Sequence, residues 1–123
     1  MFATNDTIVA IENLKAAQEA GADAALMVPP YYNRPSQEGI FQHFAAVAEQ
    51  AELPIVLYNV PGRTVTDIQP ATMARIVKAF PGKFIGVKDA TGALARVTEQ
   101  RLGCGADFIQ LSGNDETALA FNA

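Results

Sequence analysis

Apolar positions along this chain fall into two kinds of run, and the two alternate. Ile8, Ile11 and Leu14, with Ala17 or Gln18 next, recur at helical spacing, so residues 6–20 read as a helix with Thr4 or Asn5 as its cap. Ala24-Ala25-Leu26-Met27-Val28 is short and apolar throughout, the pattern of a strand buried on both faces, and Pro29-Pro30 ends it. Ser36 then caps a helix over about 37–51 that packs through Ile40, Phe41, Phe44, Val47, Ala48 and Ala51. A strand at 55–58 follows, then a loop, then a helix opened by Pro70 that packs through Met73, Ile76, Val77 and Phe80. Pro81-Gly82 breaks it. A strand at 84–88, a helix over about 93–102, a strand at 108–112 and the start of a last helix at Asn114 or Asp115 complete the chain.

Four short apolar strands thus recur about every 24–31 residues with a helix between each pair. That is the βα pattern of a parallel sheet. An open doubly wound sheet and a (β/α)8 barrel both fit it. No Gly-x-Gly-x-x-Gly and no P-loop follows any strand. Tyr32, Tyr58, Lys88 and Ser112-Gly113 all lie at or just past the C-terminal ends of strands, where barrels carry their active groups. That favours the barrel: the expected fold class is α/β, with about four βα units where a (β/α)8 barrel has eight.

Composition narrows the partners. The 123 residues are 50% hydrophobic and 18% charged with a net charge of −4, and the basic residues form no run. Nucleic acid and anionic membrane have no electrostatic support as partners. No apolar stretch has the length of a membrane span, and the N-terminus lacks the features of a secretory signal. Cys104 is the single cysteine, which fits a cytoplasmic setting and a structural role at its turn. One histidine, His43, one cysteine and unclustered carboxylates predict no metal site. His43 is expected at the surface or in packing. Asn5-Asp6-Thr7 matches a glycosylation sequon but reads as a helix start.

Lys88 is the leading chemical candidate. An amine at a strand end that loses its proton through burial becomes a nucleophile. Strand alternation puts Lys88 on the face of Gly86 and Phe84, with the glycine leaving room for a small substrate. A lysine that snorkels out into solvent is the competing reading. Tyr58 can exchange a proton beside an imine, or can simply be an interior tyrosine with a satisfied hydroxyl. Arg63 can hold a carboxylate through its planar fork, or be a solvated loop residue. Thr91-Gly92 can offer a hydroxyl or backbone N–H groups to an anion. Tyr31 and Tyr32 can pack at an interface.

Three blocks together resemble one family. Tyr31-Tyr32-Asn33-Arg34-Pro35-Ser36-Gln37-Glu38-Gly39, Tyr58-Asn59-Val60-Pro61-Gly62-Arg63-Thr64 and Gly86-Val87-Lys88-Asp89-Ala90-Thr91-Gly92 are similar to the dihydrodipicolinate synthase (4-hydroxy-tetrahydrodipicolinate synthase) family of lysine biosynthesis, and Leu111-Ser112-Gly113-Asn114-Asp115 fits it too. The resemblance implies that Lys88 forms an imine with pyruvate and that Tyr58 relays protons. It implies that Tyr32 joins the relay from a neighbouring subunit and that Arg63 binds the carboxylate of L-aspartate 4-semialdehyde. Gly113 and Thr91 would lie near bound substrate, and Tyr31 near a lysine feedback site at a dimer interface. It further implies that residues 1–123 are one partial domain, the central portion of a (β/α)8 TIM barrel lacking the N-terminal strands and the C-terminal end, and it implies a homotetramer built as a dimer of dimers with no cofactor beyond the covalent imine. Asp89, Pro29 and Val65 stand where the family commonly has glutamate, threonine and glycine.

Two relatives stay open as alternatives: N-acetylneuraminate lyase and the 2-keto-3-deoxy sugar acid aldolases. They share the lysine and tyrosine but usually not Val-Pro-Gly-Arg-Thr. The family's Gly-Thr-Thr-Gly-Glu segment does not occur in this chain, and four strands supply only about half of a barrel. By itself the chain is expected to be inactive, poorly soluble or associated. The remaining readings are a remnant that only binds full-length subunits, and an unrelated α/β binding domain.

Overall fold

The computed structural model describes residues 4–31 and 33–123. Four strands, β1 (Ala25–Met27), β2 (Ile55–Asn59), β3 (Phe84–Asp89) and β4 (Ile109–Ser112), form one sheet in the order β1-β2-β3-β4. Every pairing is parallel. Helices α1 (Thr7–Glu19), α2 (Gln37–Gln50), α4 (Pro70–Ala79) and α5 (Ala95–Cys104) precede or link the strands. A short α3 (Pro61–Thr64) follows β2, and a 3₁₀ turn (Asp115–Thr117) leads into α6 (Ala118–Asn122).

The caps show why the helices start where they do. Ser36 Oγ accepts from the Gly39 N–H at 3.0 Å, as its position predicts. At α1 the cap is Asp6, not Thr4 or Asn5: its carboxylate accepts from the N–H groups of Ile8 and Val9. The packed face of α1 also differs from the expectation. Ala10 and Leu14 are buried, whereas Ile8 is 69% exposed. A helix beginning at Thr7 turns Ile8 away from α2, the helix that packs most against α1 among the described residues.

The core lies between the sheet and the helices. Met27, Ile55, Leu57 and Val87 meet Leu14, Ile40, Phe44, Val47, Met73 and Ile76 there. Phe84 belongs to this side as well, edge-on to Phe44 and Phe80 at 5.9 and 6.1 Å between ring centroids. That corrects the simple alternation. Ile55 pairs with Phe84 but Val56 pairs with Gly86, so Ile85 is an extra residue and the face switches across it. The opposite face carries Leu26, Val56, Gly86 and Ile109 in one register row, then Tyr58, Lys88 and Leu111 in the next. No described element covers that second face: Ile109 and Leu111 are 46% and 48% exposed.

Candidate active site

The C-terminal ends of β2, β3 and β4 are tied together beyond their ladders. The Ala90 N–H donates to the Asn59 carbonyl at 2.9 Å, and the Gly113 N–H donates to the Asp89 carbonyl at 2.7 Å. Tyr58 and Lys88 are register partners on the uncovered face. The Lys88 ammonium lies over the Tyr58 ring, Nζ 4.7 Å from the ring centroid. Both residues are half-buried, and the Tyr58 hydroxyl has no hydrogen-bond partner among the described residues. The pair therefore combines an amine with reach into open space and a phenol free to exchange a proton.

Gly86 serves the sheet, not the substrate. A Cβ there would stand 2.5 Å from the Ile109 carbonyl oxygen, so the glycine lets β4 approach β3 closely. Gly113 is needed in a similar way, since a Cβ would meet the Ala90 Cβ at 2.9 Å. The Thr91 hydroxyl and N–H both donate to Asp89 Oδ1, at 2.7 and 2.9 Å. They close the turn after β3 and leave neither donor for an anion. Asp89 itself is buried, and its Oδ2 has no partner among the described residues.

Arg63 lies on α3, exposed, and its guanidinium has no ion pair or hydrogen bond among the described residues. Its loop is held by both local and long-range bonds. Thr64 Oγ1 donates to the Val60 and Thr66 carbonyls at 3.2 and 3.0 Å, and Thr66 Oγ1 donates to the Pro30 carbonyl at 3.3 Å. The sequence predicts plain loop here, whereas residues Pro61–Thr64 form a helical turn. A four-residue helix begun by proline is too short to show a period. Tyr31 is half-buried in the loop after β1. Tyr32, the proposed relay tyrosine, lies outside the described residues.

The polar residues that hold the site were not singled out from the sequence. Asn59 is fully buried and directly follows Tyr58. Its Oδ1 accepts from the Ile68 N–H at 3.1 Å, and its Nδ2 donates to Asp67 Oδ1 at 2.9 Å. Arg96 donates to both Asp67 oxygens at 2.9 and 2.6 Å and to the Ile68 carbonyl at 3.2 Å. Gln37 Nε2 donates to the Asp67 carbonyl at 2.8 Å. Strand alternation places Asn59 on the buried side, which is the one signal that could have flagged it.

Two other titratable groups belong to packing. His43 is buried, with Nδ1 2.7 Å from the Thr7 hydroxyl, and burial lowers its pKa to about 4. That corrects the surface option for this residue. Burial pushes the Cys104 thiol up to about 11, against a small opposing pull from Lys78, so the thiol is unreactive at neutral pH. No group of three or more candidate metal ligands occurs among the described residues, and no described helix is long and apolar enough to cross a membrane.

A family model described as "Dihydrodipicolinate synthetase family" matches residues 3–122. The 4-hydroxy-tetrahydrodipicolinate synthase of Agrobacterium fabrum is 62% identical over 120 residues, which is 98% of this chain and 40% of that protein. The structure of the 4-hydroxy-tetrahydrodipicolinate synthase from Methylacidiphilum fumariolicum SolV superposes with a TM-score of 0.92 at 43% identity, covering 97% of this chain and 39% of that one. The chloride-inhibited dihydrodipicolinate synthase of Acinetobacter baumannii, complexed with pyruvate, superposes at 0.89 with 47% identity over 96% of this chain and 40% of that one. These neighbours are TIM-barrel enzymes, and the four parallel βα units are part of such a barrel. The chain spans about two fifths of the length of the curated relatives it matches.

Proposed function

This chain belongs to the dihydrodipicolinate synthetase family, and on that premise we propose that it carries the nucleophile and acceptor-binding parts of a pyruvate-dependent Schiff-base lyase. The Lys88 amine adds to the ketone carbon of pyruvate, and loss of water gives an imine. The imine withdraws electrons as a methyl proton leaves, producing an enamine. The enamine carbon attacks the aldehyde carbon of L-aspartate 4-semialdehyde and forms the new C–C bond. The amino group of the former semialdehyde then displaces Lys88 from the imine carbon. The ring closes as 4-hydroxy-tetrahydrodipicolinate, and the free amine returns. One water is released overall.

Tyr58 passes protons to and from the imine nitrogen and the oxygens that leave or form, with Tyr32 as the second relay group. Arg63 receives the carboxylate of the semialdehyde through its fork. Metal or organic cofactor is not required, because the protonated imine is the electron sink. A soluble cytoplasmic homotetramer is the proposed setting. The Val60-Pro61-Gly62-Arg63-Thr64 block favours the synthase over the sister aldolases.

The observation that carries this reading is the register pairing of Lys88 with Tyr58, amine above ring, on the open face. The test uses the chain seated in a complete barrel, exchanged for the 120 residues that it matches in the Agrobacterium fabrum relative. Incubation with pyruvate and borohydride is expected to add one reduced pyruvate to Lys88, and Lys88→Ala is expected to abolish the adduct. An unmodified Lys88 in a folded barrel sinks the reading. A second reading, association with full-length subunits without turnover, is favoured by the uncovered Ile109 and Leu111. It predicts no adduct at Lys88 of this chain even when such subunits are mixed with it.

A further inference from the structure

The Arg63 side chain makes no bond among the described residues, so its position depends on the backbone of its loop. That backbone is strained where it leaves α3: Val65, a β-branched residue, sits at a left-handed φ of +56°. Such a conformation persists only where its surroundings over-determine it. Asn59 supplies part of this by bridging the two ends of the loop. From outside the loop Gln37 and the Pro30 carbonyl hold it by single neutral bonds, and Arg96 adds a charged one. Its guanidinium meets Asp67 fork to fork, with 15% of its side chain exposed against 39% for Asp67. A sheltered bidentate pair of this kind has directional strength that an open pair lacks. Arg75–Glu38 is the contrast, with both side chains more than half exposed.

The location of Arg96 is the second observation. It occupies the first turn of α5, where the helix dipole disfavours a cation. Helix stability therefore does not account for it. The turn it occupies follows directly from the segment that leaves Lys88, whereas Asp67 ends the loop that begins after Tyr58.

We propose that Asn59, Asp67 and Arg96 form a positioning clamp that fixes the Arg63 loop against the Lys88 strand, setting the distance between acceptor carboxylate and nucleophile. The proposal rests on the reading given under Proposed function, and its test separates the two. In the 123-residue chain, Arg96→Leu is expected to speed amide exchange at residues 61–68 while the β2 and β3 amides stay protected. Arg96→Lys, which keeps the charge but not the fork, is expected to recover only part of that protection, and it reports in place of Arg96→Leu if the latter unfolds. Unchanged exchange at 61–68 overturns the clamp whatever the enzyme does.

In the complete barrel, Arg96→Leu is expected to raise KM for the semialdehyde by roughly 10–100-fold, the scale of a misplaced substrate contact. KM for pyruvate and borohydride trapping at Lys88 are expected to stay within about twofold, because the clamp is placed on the acceptor side only. Equal losses for both substrates reduce the pair to fold maintenance and overturn the positioning role. Absence of an adduct in the unsubstituted barrel overturns the functional reading and leaves the exchange result standing on its own.

Discussion

Val65 occupies backbone that its side chain opposes. A left-handed residue with a Cβ costs roughly 1–2 kcal/mol, while glycine there forgoes some unfolded-state restriction. Val65→Gly is therefore expected to stabilise the chain by about 1 kcal/mol, read as a raised urea midpoint at constant slope. A lowered midpoint refutes the strain argument. The family resemblance marked position 65 as a departure, valine for glycine, but only the φ angle supplied a consequence. Lys88 and Tyr58 were more legible, because strand ends can be located from the apolar runs and chemistry collects there. The reason for Gly86 was not legible, since the contact that forbids a side chain comes from another strand.

Between elements, the join of α1 to α2 runs through Thr7 and His43. His43 has a folded pKa of about 4, depressed by burial from 6.5. Below about pH 6.5 the unfolded state binds a proton that the folded state refuses, so stability falls as pH drops from 6.5 towards 4 and is complete above that window. The loss reaches at most roughly 3 kcal/mol by pH 4. His43→Gln is expected to flatten the decline between pH 6.5 and 5, where carboxylates contribute little. An unchanged slope in denaturant titrations excludes His43 as the cause. The larger elements appear within about two residues of where periodicity and turn residues put them, except α3, whose four residues hold too few positions to show a pattern.

No described element covers the sheet face that carries Tyr58 and Lys88. Ile109 and Leu111 lie there, β1 and β4 each have a side unpaired among the described residues, and Leu102 and Leu119 are 82% and 89% exposed on the helices beside β4. Open strand edges and a contiguous apolar surface drive association. The 123-residue chain is therefore expected to sediment as an associated species and to bind a hydrophobic dye. Ile109→Thr with Leu111→Thr is expected to lower both signals. A monodisperse, dye-silent wild-type chain contradicts this. The apolar runs and their spacing, read alone, determined the alternation of strands and helices, the parallel sheet, and the arrival of Tyr58 and Lys88 at neighbouring strand ends. Each of those is a property of one segment and its neighbours in the chain. Tertiary structure alone decided that Phe84 turns away from Lys88, that Gly86 admits β4, and that Asp67 meets Arg96 across 29 residues. Register, close approach and long-range pairing depend on how two separate elements settle against each other, and no local period encodes that.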